Sequence, residues 1–119
     1  MRDFKKLIVW QKSHCLAINI YKYTSSFPKE EAFGLISQMR RAALSISSNI
    51  AEGSAQESHL QFNRFLIIAS GSAAELDCQL LLSKDLGFID ESIYVALQQQ
   101  ITEVRKIIHS FKKKLKPND

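Results

Sequence analysis

Glycine and proline are scarce in this chain, four and two among 119 residues. That is too little punctuation for a sandwich or barrel of many short strands, each needing its turn, so helices are the natural reading. Cys15 and Cys78 lie far apart, form no C-x-x-C pair and supply no disulfide framework, and both are expected as reduced side chains packed on helices. No apolar run approaches the roughly 20 residues that cross a bilayer. The start Met1-Arg2-Asp3-Phe4-Lys5-Lys6 lacks the apolar stretch of a secretory signal. A cytoplasmic protein without a membrane partner is expected.

The signatures of catalysis are missing too. No G-x-x-x-x-G-K-[ST], G-x-G-x-x-G or G-x-S-x-G motif occurs, so neither a phosphate cradle nor a strained nucleophile turn is encoded. His14, His59 and His109 are dispersed over three segments without the i, i+4 or Glu-x-x-His spacing of bundle metal sites. Cys15 follows His14 directly, and adjacent residues on a helix point in different directions. The sequence assigns no catalytic residue, no metal and no cofactor, and the chain reads as a non-enzyme.

What is present is helical periodicity. At 119 residues, 45% hydrophobic and 24% charged, the chain suits one globular domain over residues 1–119. A first helix is predicted from about Leu7 to Ser25, with Val9, Trp10, Ser13, Leu16, Ala17, Ile20, Tyr21 and Thr24 on one stripe, ended by Phe27-Pro28. A second is expected from Lys29, with Glu30 and Glu31 in its first turn, Leu35, Met39, Ala42, Ile46 and Ile50 buried, and Gly53 as the glycine that closes it.

Ser58-His59-Leu60-Gln61 reads as a capping box opening a third helix, with Phe62, Phe65, Leu66, Ala69, Ala73, Leu76 and Leu80 on its stripe. The bulk-free turn Gly71-Ser72-Ala73-Ala74 invites a close neighbour. Asp90 is the N-cap of a fourth helix whose seam is Leu97, Ile101, Val104, Ile108, Phe111 and Leu115; Pro117-Asn118-Asp119 is expected to fray. Four such helices with short connections pack economically as an all-α, antiparallel up-down-up-down four-helix bundle.

Two polar features stand out. Gln38, Arg41, Ser45, Asn49 and Glu52 form a row at steps of three and four on the second helix, and Ser72 and Glu75 of the third can meet it. The favoured reading is a structural hydrogen-bonded network, with Arg41 buried and paired to Glu52 or Glu75. The rival is a small-ligand or acid/base site built on Glu52, Glu75 and Asn49.

The second feature is basic charge: net +4, with Arg2, Lys5, Lys6 and Lys12 at the start, Arg40 and Arg41 in the middle, and Arg105, Lys106 and Lys112 to Lys116 at the end. In an up-down bundle the first and last groups share one end, a footprint suited to phosphate, although no aromatic-basic interleaving offers bases a stacking platform.

The order Val9-Trp10-Gln11-Lys12, Phe27-Pro28-Lys29-Glu30, Phe33-Gly34-Leu35, Gln38-Met39-Arg40-Arg41-Ala42, Asn49-Ile50-Ala51-Glu52-Gly53 and Gly71-Ser72 followed by Glu75 resembles the bacterial proteins named for intervening sequences in 23S ribosomal RNA. The resemblance spans nearly the whole chain. It implies a four-helix bundle assembled as a ring-shaped homopentamer with a basic surface, and kinship with the accessory variability determinant of diversity-generating retroelements, which binds nucleic acid. Ile18, Leu44, Ile68 and Leu82, beside the core stripes, independently suit a subunit interface. The leading expectation is a homo-oligomer that binds RNA or DNA, with Arg40, Arg41, Lys112, Lys113 and Lys114 as the residues to test. The alternative is an assembly module that binds a protein partner and no nucleic acid.

Overall fold

The computed structural model describes residues 2–115. Four helices follow one another, with no strand among the described residues: α1 Ile8–Thr24, α2 Leu35–Ser54, α3 His59–Asp85 and α4 Glu91–Lys114. Single turns of 3-10 helix at Phe4–Lys6 and Lys29–Glu31 lead into α1 and α2. Each helix packs on its sequence neighbours and α1 closes the ring against α4, with α2 and α3 the most extensive pair. These pairings fit the expected up-down-up-down path and give a body 47 Å long and 24 by 20 Å across.

The periodic stripes meet in one core. Leu16, Ile20, Ile46, Ile50, Phe62, Leu66, Leu76, Ile101 and Ile108 are sealed from water, each burial favouring folding by about 1.5–3 kcal/mol. Phe62 and Phe111 lie 5.2 Å apart between ring centroids at one end of the bundle, and Phe27 and Phe88 lie 5.3 Å apart at the other. The Phe111 end gathers the start of α1, the end of α2, the start of α3 and the end of α4. There the Arg2 guanidinium lies 4.8 Å from the Phe62 ring centroid and donates to the Ser54 carbonyl at 3.5 Å.

Caps fix the helix ends. Ser58 Oγ accepts the Gln61 N–H at 3.1 Å, the half of the capping box that forms; no bond returns from the exposed Gln61 side chain. Asp90 Oδ1 accepts the Ile93 N–H at 2.9 Å and the Ser92 hydroxyl at 3.0 Å, and these two bonds, the Ile93 one first, hold its carboxyl below the usual range. Helix α3 closes on Gly87 at φ 80°, where the Gly87 N–H reaches the Lys84 carbonyl and the Phe88 N–H the Ser83 carbonyl, each at 2.9 Å, a Schellman motif.

Several expectations are corrected. Helix α2 begins at Leu35 and not at Lys29, because Gly34 takes φ −109° and ψ −110°, outside the helical region. A carboxylate still meets its start, since Glu31 Oε1 accepts the Leu35 N–H at 3.2 Å. Gly53 lies inside α2, buried; a Cβ there would stand 2.8 Å from both Phe62 Cδ1 and Phe65 Cβ, so the glycine serves the close approach of α3. Gly71 faces outward with nothing within 4 Å, and the small side chains that admit a neighbour are Ala69, Ser72 and Ala73. Tyr21, Cys15 and Cys78 are exposed. Pro117-Asn118-Asp119 lies outside the described residues.

Helix α3 is also more apolar than its lack of an unbroken hydrophobic run suggests. By length and composition it could cross a membrane, with a mean hydropathy of 1.5 over its most apolar window. Its apolar residues have two destinations. Phe62, Leu66, Ala69, Ala73, Leu76 and Leu80 point into the core, whereas Leu60, Ile67, Ile68, Leu81 and Leu82 stay 43–51% exposed. Leu60, Ile67, Gly71, Ala74, Cys78 and Leu81 fall on one outward row, a second seam about 200° round the helix from the first at 100° per residue.

Candidate nucleic-acid interface

The polar row on α2 divides at its middle. Ser45 Oγ and Ser72 Oγ pair at 2.8 Å across the α2–α3 contact, and Asn49 Nδ2 donates to the Ser45 carbonyl at 2.7 Å and to its hydroxyl at 3.0 Å. Of the seven residues expected in a network there, Ser45, Asn49 and Ser72 are the ones joined by hydrogen bonds. Gln38, Arg41, Glu52 and Glu75 are exposed, and their side chains make no hydrogen bond or ion pair among the described residues. The buried Arg41 pairing is thereby corrected: of this row, α3 covers the part at Ser45, opposite Ser72, and leaves Arg41 exposed. Glu52 lies about 10 Å along α2 from Ser45 at 1.5 Å per residue, toward the Phe111 end, while Glu75 lies one turn beyond Ser72 in the opposite direction. The two carboxylates and Asn49 do not converge on a common pocket.

The neighbouring arginines have distinct surroundings. Arg40 Nε donates to Thr24 Oγ1 at 3.0 Å, a terminal nitrogen donates to the Tyr21 carbonyl at 3.2 Å, and the guanidinium lies 4.7 Å from the Tyr21 ring centroid. It thus shares with the Thr24 hydroxyl, at 3.3 Å, a carbonyl in the last turn of α1. Arg41 is the one exposed to solvent. Both lie near the Phe88 end, whereas Lys112, Lys113 and Lys114 close α4 at the Phe111 end, so one subunit does not bring the five residues together.

The Phe111 end is basic, as the shared-end expectation requires. Lys5 and Lys6 lie on the 3-10 turn before α1, and Lys112, Lys113 and Lys114 fill the last turn of α4. Farther back along α4 come Arg105 and Lys106, both exposed. None of these seven cations has an ion-pair partner among the described residues. Ion pairs among the described residues include Lys12 with Glu103 at 3.2 Å and Lys84 with Glu91 at 3.4 Å.

A groove of about 590 Å³ runs between α3 and α4, lined by Ser70, Thr102, Arg105, Lys106, His109 and Ser110. In the sequence Arg105 and Lys106 register only as charge and His109 as a stray histidine. The groove itself is invisible there because Ser70 comes from another helix. The available signal is the spacing of Thr102, Lys106, His109 and Lys113, steps of four, three and four that line one side of α4. Among the described residues, no group of three or more His, Cys, Asp or Glu is placed to hold a metal ion.

Comparison with known proteins agrees with this architecture. The family model described as 23S rRNA-intervening sequence protein matches residues 5–110. A crystal structure of a protein of unknown function from the S23 ribosomal protein family of Bacteroides thetaiotaomicron is similar, with a TM-score of 0.81 and 28% identity over 90% of this chain and 100% of that one. No curated protein matches.

Proposed function

The chain belongs to the 23S rRNA-intervening sequence protein family, and on that footing we propose that it is a non-enzymatic homo-oligomer, a pentamer by family resemblance, whose basic surface binds RNA or DNA as a scaffold. The observation that carries the reading is the set of unpaired cations on α4 and at the Phe111 end: Arg105, Lys106, Lys112, Lys113 and Lys114, with Lys5 and Lys6 beside them. Cations kept free of carboxylate partners are available to phosphate and release its counterions on binding. The exposed apolar residues of α3 support the oligomer, since a lone bundle would leave Ile67, Ile68, Leu81 and Leu82 half in water.

The experiment is light scattering coupled to size exclusion, with and without mixed-sequence RNA or DNA, across a salt series. A ring-sized particle that takes up nucleic acid and sheds it as salt rises is the expected result. Lys112→Glu, Lys113→Glu and Lys114→Glu together should weaken uptake and flatten the log–log salt dependence by about one unit of slope for each phosphate they no longer neutralise. An unchanged affinity and slope would remove these lysines from the interface. The same α3 residues favour a second reading, an assembly module whose lysines only keep the ring soluble. An oligomer indifferent to nucleic acid at low salt would select it and point to protein partners.

A further inference from the structure

The α3–α4 groove shares Arg105 and Lys106 with the basic surface and adds donors of its own. Its lining is nearly all donor: a guanidinium from Arg105, an ammonium from Lys106, the imidazole of His109 and the hydroxyls of Ser70, Thr102 and Ser110, with no carboxylate among them. It also has no internal counter-ion, since neither Arg105 nor Lys106 is ion-paired among the described residues. Such a lining complements a ligand that is negative and rich in acceptors, and phosphate oxygens meet guanidinium and ammonium through the stronger, charge-assisted class of hydrogen bond.

The groove is also linear. Lys106, His109 and Lys113 succeed one another at steps of three and four, as do Arg105, His109 and Lys112, so the lining continues along α4 into the lysine cluster. From Thr102 to Lys113 this track runs about 16 Å at 1.5 Å per residue. A free phosphate would be held by donors converging on one point, whereas a string of cations along a helix suits a polyanion laid parallel to it. Packed helix axes lie about 8–10 Å apart, so the furrow between two of them admits one sugar–phosphate chain, while a duplex would rest on its rims.

We infer that the α3–α4 groove seats the phosphodiester backbone of a single nucleic-acid strand, leading it from Ser70 and Thr102 past Arg105, Lys106 and His109 to the lysines that close α4. This rests on the nucleic-acid reading above and gives it a path and a strandedness. Recognition is of the backbone, without base preference, because the lining offers no aromatic platform.

The test is fluorescence anisotropy of a labelled mixed-sequence single-stranded 15-mer, titrated with the full chain over a salt series, with helicity checked by circular dichroism. Arg105→Gln with Lys106→Gln should lower the log–log salt slope by about 1.4, at about 0.7 per phosphate on a single strand. Ser70→Asp should weaken binding with every cation in place, because its carboxylate would enter the groove from α3. The unlabelled strand should compete better than its own duplex, and better than tripolyphosphate at equal total phosphate.

If both variants bind as the parent does while reversal of Lys112 to Lys114 abolishes binding, the strand lies on the bundle end and the groove is overturned, with the nucleic-acid reading intact. If tripolyphosphate competes as well as the strand, the site takes small polyphosphates and the strand assignment falls. If the parent protein takes up no strand even at low salt, the nucleic-acid reading itself fails.

Discussion

Gly53 and Gly71 are both helical glycines, and replacing each with alanine should change stability in opposite directions. In a helix interior alanine is favoured over glycine by about 1 kcal/mol, so without tertiary packing both variants gain. At Gly53 the new methyl would stand 2.8 Å from Phe62 Cδ1, 2.8 Å from Phe65 Cβ and 3.2 Å from Phe62 Cε1. Neither phenylalanine can yield cheaply. The Phe62 ring has no exposure and is held between Phe111 and the Arg2 guanidinium, while Phe65 Cβ moves only if α3 moves. Overpacking of this kind costs about 1–3 kcal/mol, and with two approaches this short the cost belongs in the upper half. Gly53→Ala is therefore expected to lose about 1–2 kcal/mol net after the helical gain. At Gly71 nothing lies within 4 Å, and Gly71→Ala should gain about 0.5–1 kcal/mol. Urea unfolding followed by circular dichroism, at one fixed chain concentration because assembly feeds into apparent stability, separates the pair by about 1.5–3 kcal/mol. Equal stabilisation of both variants would refute the close approach of α2 and α3 at Gly53.

Two further outcomes follow from particular side chains. Arg40→Ala and Arg40→Lys should each cost about 1 kcal/mol, a charged hydrogen-bond loss discounted for partial exposure, because an ammonium cannot span Thr24 and Tyr21 in a plane. Arg41→Ala should stay within about 0.5 kcal/mol of the parent in the same urea titration, and an equal loss at both arginines would show Arg41 to be structural after all. The Asp90 carboxyl is lowered from its ordinary 3.8 by the Ile93 N–H and the Ser92 hydroxyl. A depressed folded value means that its stabilisation is present above the unfolded value and lost as pH falls through the folded one. The advantage of the parent over Asp90→Ala should thus be full at neutral pH and shrink below pH 3.8. A gap that stays constant on acidification would assign the cap no ionic component.

The core is legible in the sequence because a helix buried on one side repeats its apolar residues at three and four, and that arithmetic needs no neighbour. Leu16, Met39, Ile46, Phe62, Leu76, Ile101 and Ile108 are all identified this way and all are buried. Ser58 and Asp90 are legible for a similar reason, since a cap is a local bond between residues three apart. What periodicity cannot give is which flank of a stripe meets another helix. The row Gln38, Arg41, Ser45, Asn49 and Glu52 is continuous on α2, yet Ser72 covers only its centre. In one dimension Gly53 reads as a helix end and Gly71 as a place of close approach, and the structure reverses both readings. Gly53, Gly71 and Gly87 serve as a packing surface, an outward-facing residue and a left-handed helix terminus, roles set by the opposite wall or by backbone angle. The groove residues are hidden in the sequence because they belong to two helices and carry no motif.

The four walls of the bundle are unequal in what holds them. Helices α2 and α3 are locked by the close approach at Gly53 and the hydroxyl pair of Ser45 and Ser72. The polar ties between α1 and α4 among the described residues are a hydrogen bond that Asn19 Nδ2 donates to Gln100 Oε1 at 3.0 Å and a pair, Lys12 with Glu103, whose side chains are 43% and 53% exposed. An exposed pair contributes about 0–1 kcal/mol, and α1–α4 is also the least extensive of the helix pairings. Local opening is therefore expected to begin along that wall, and hydrogen exchange should find the backbone amides of α1 and α4 less protected than those of the α2–α3 hairpin. Any surface carried by the back of α3 keeps its shape while the opposite wall breathes.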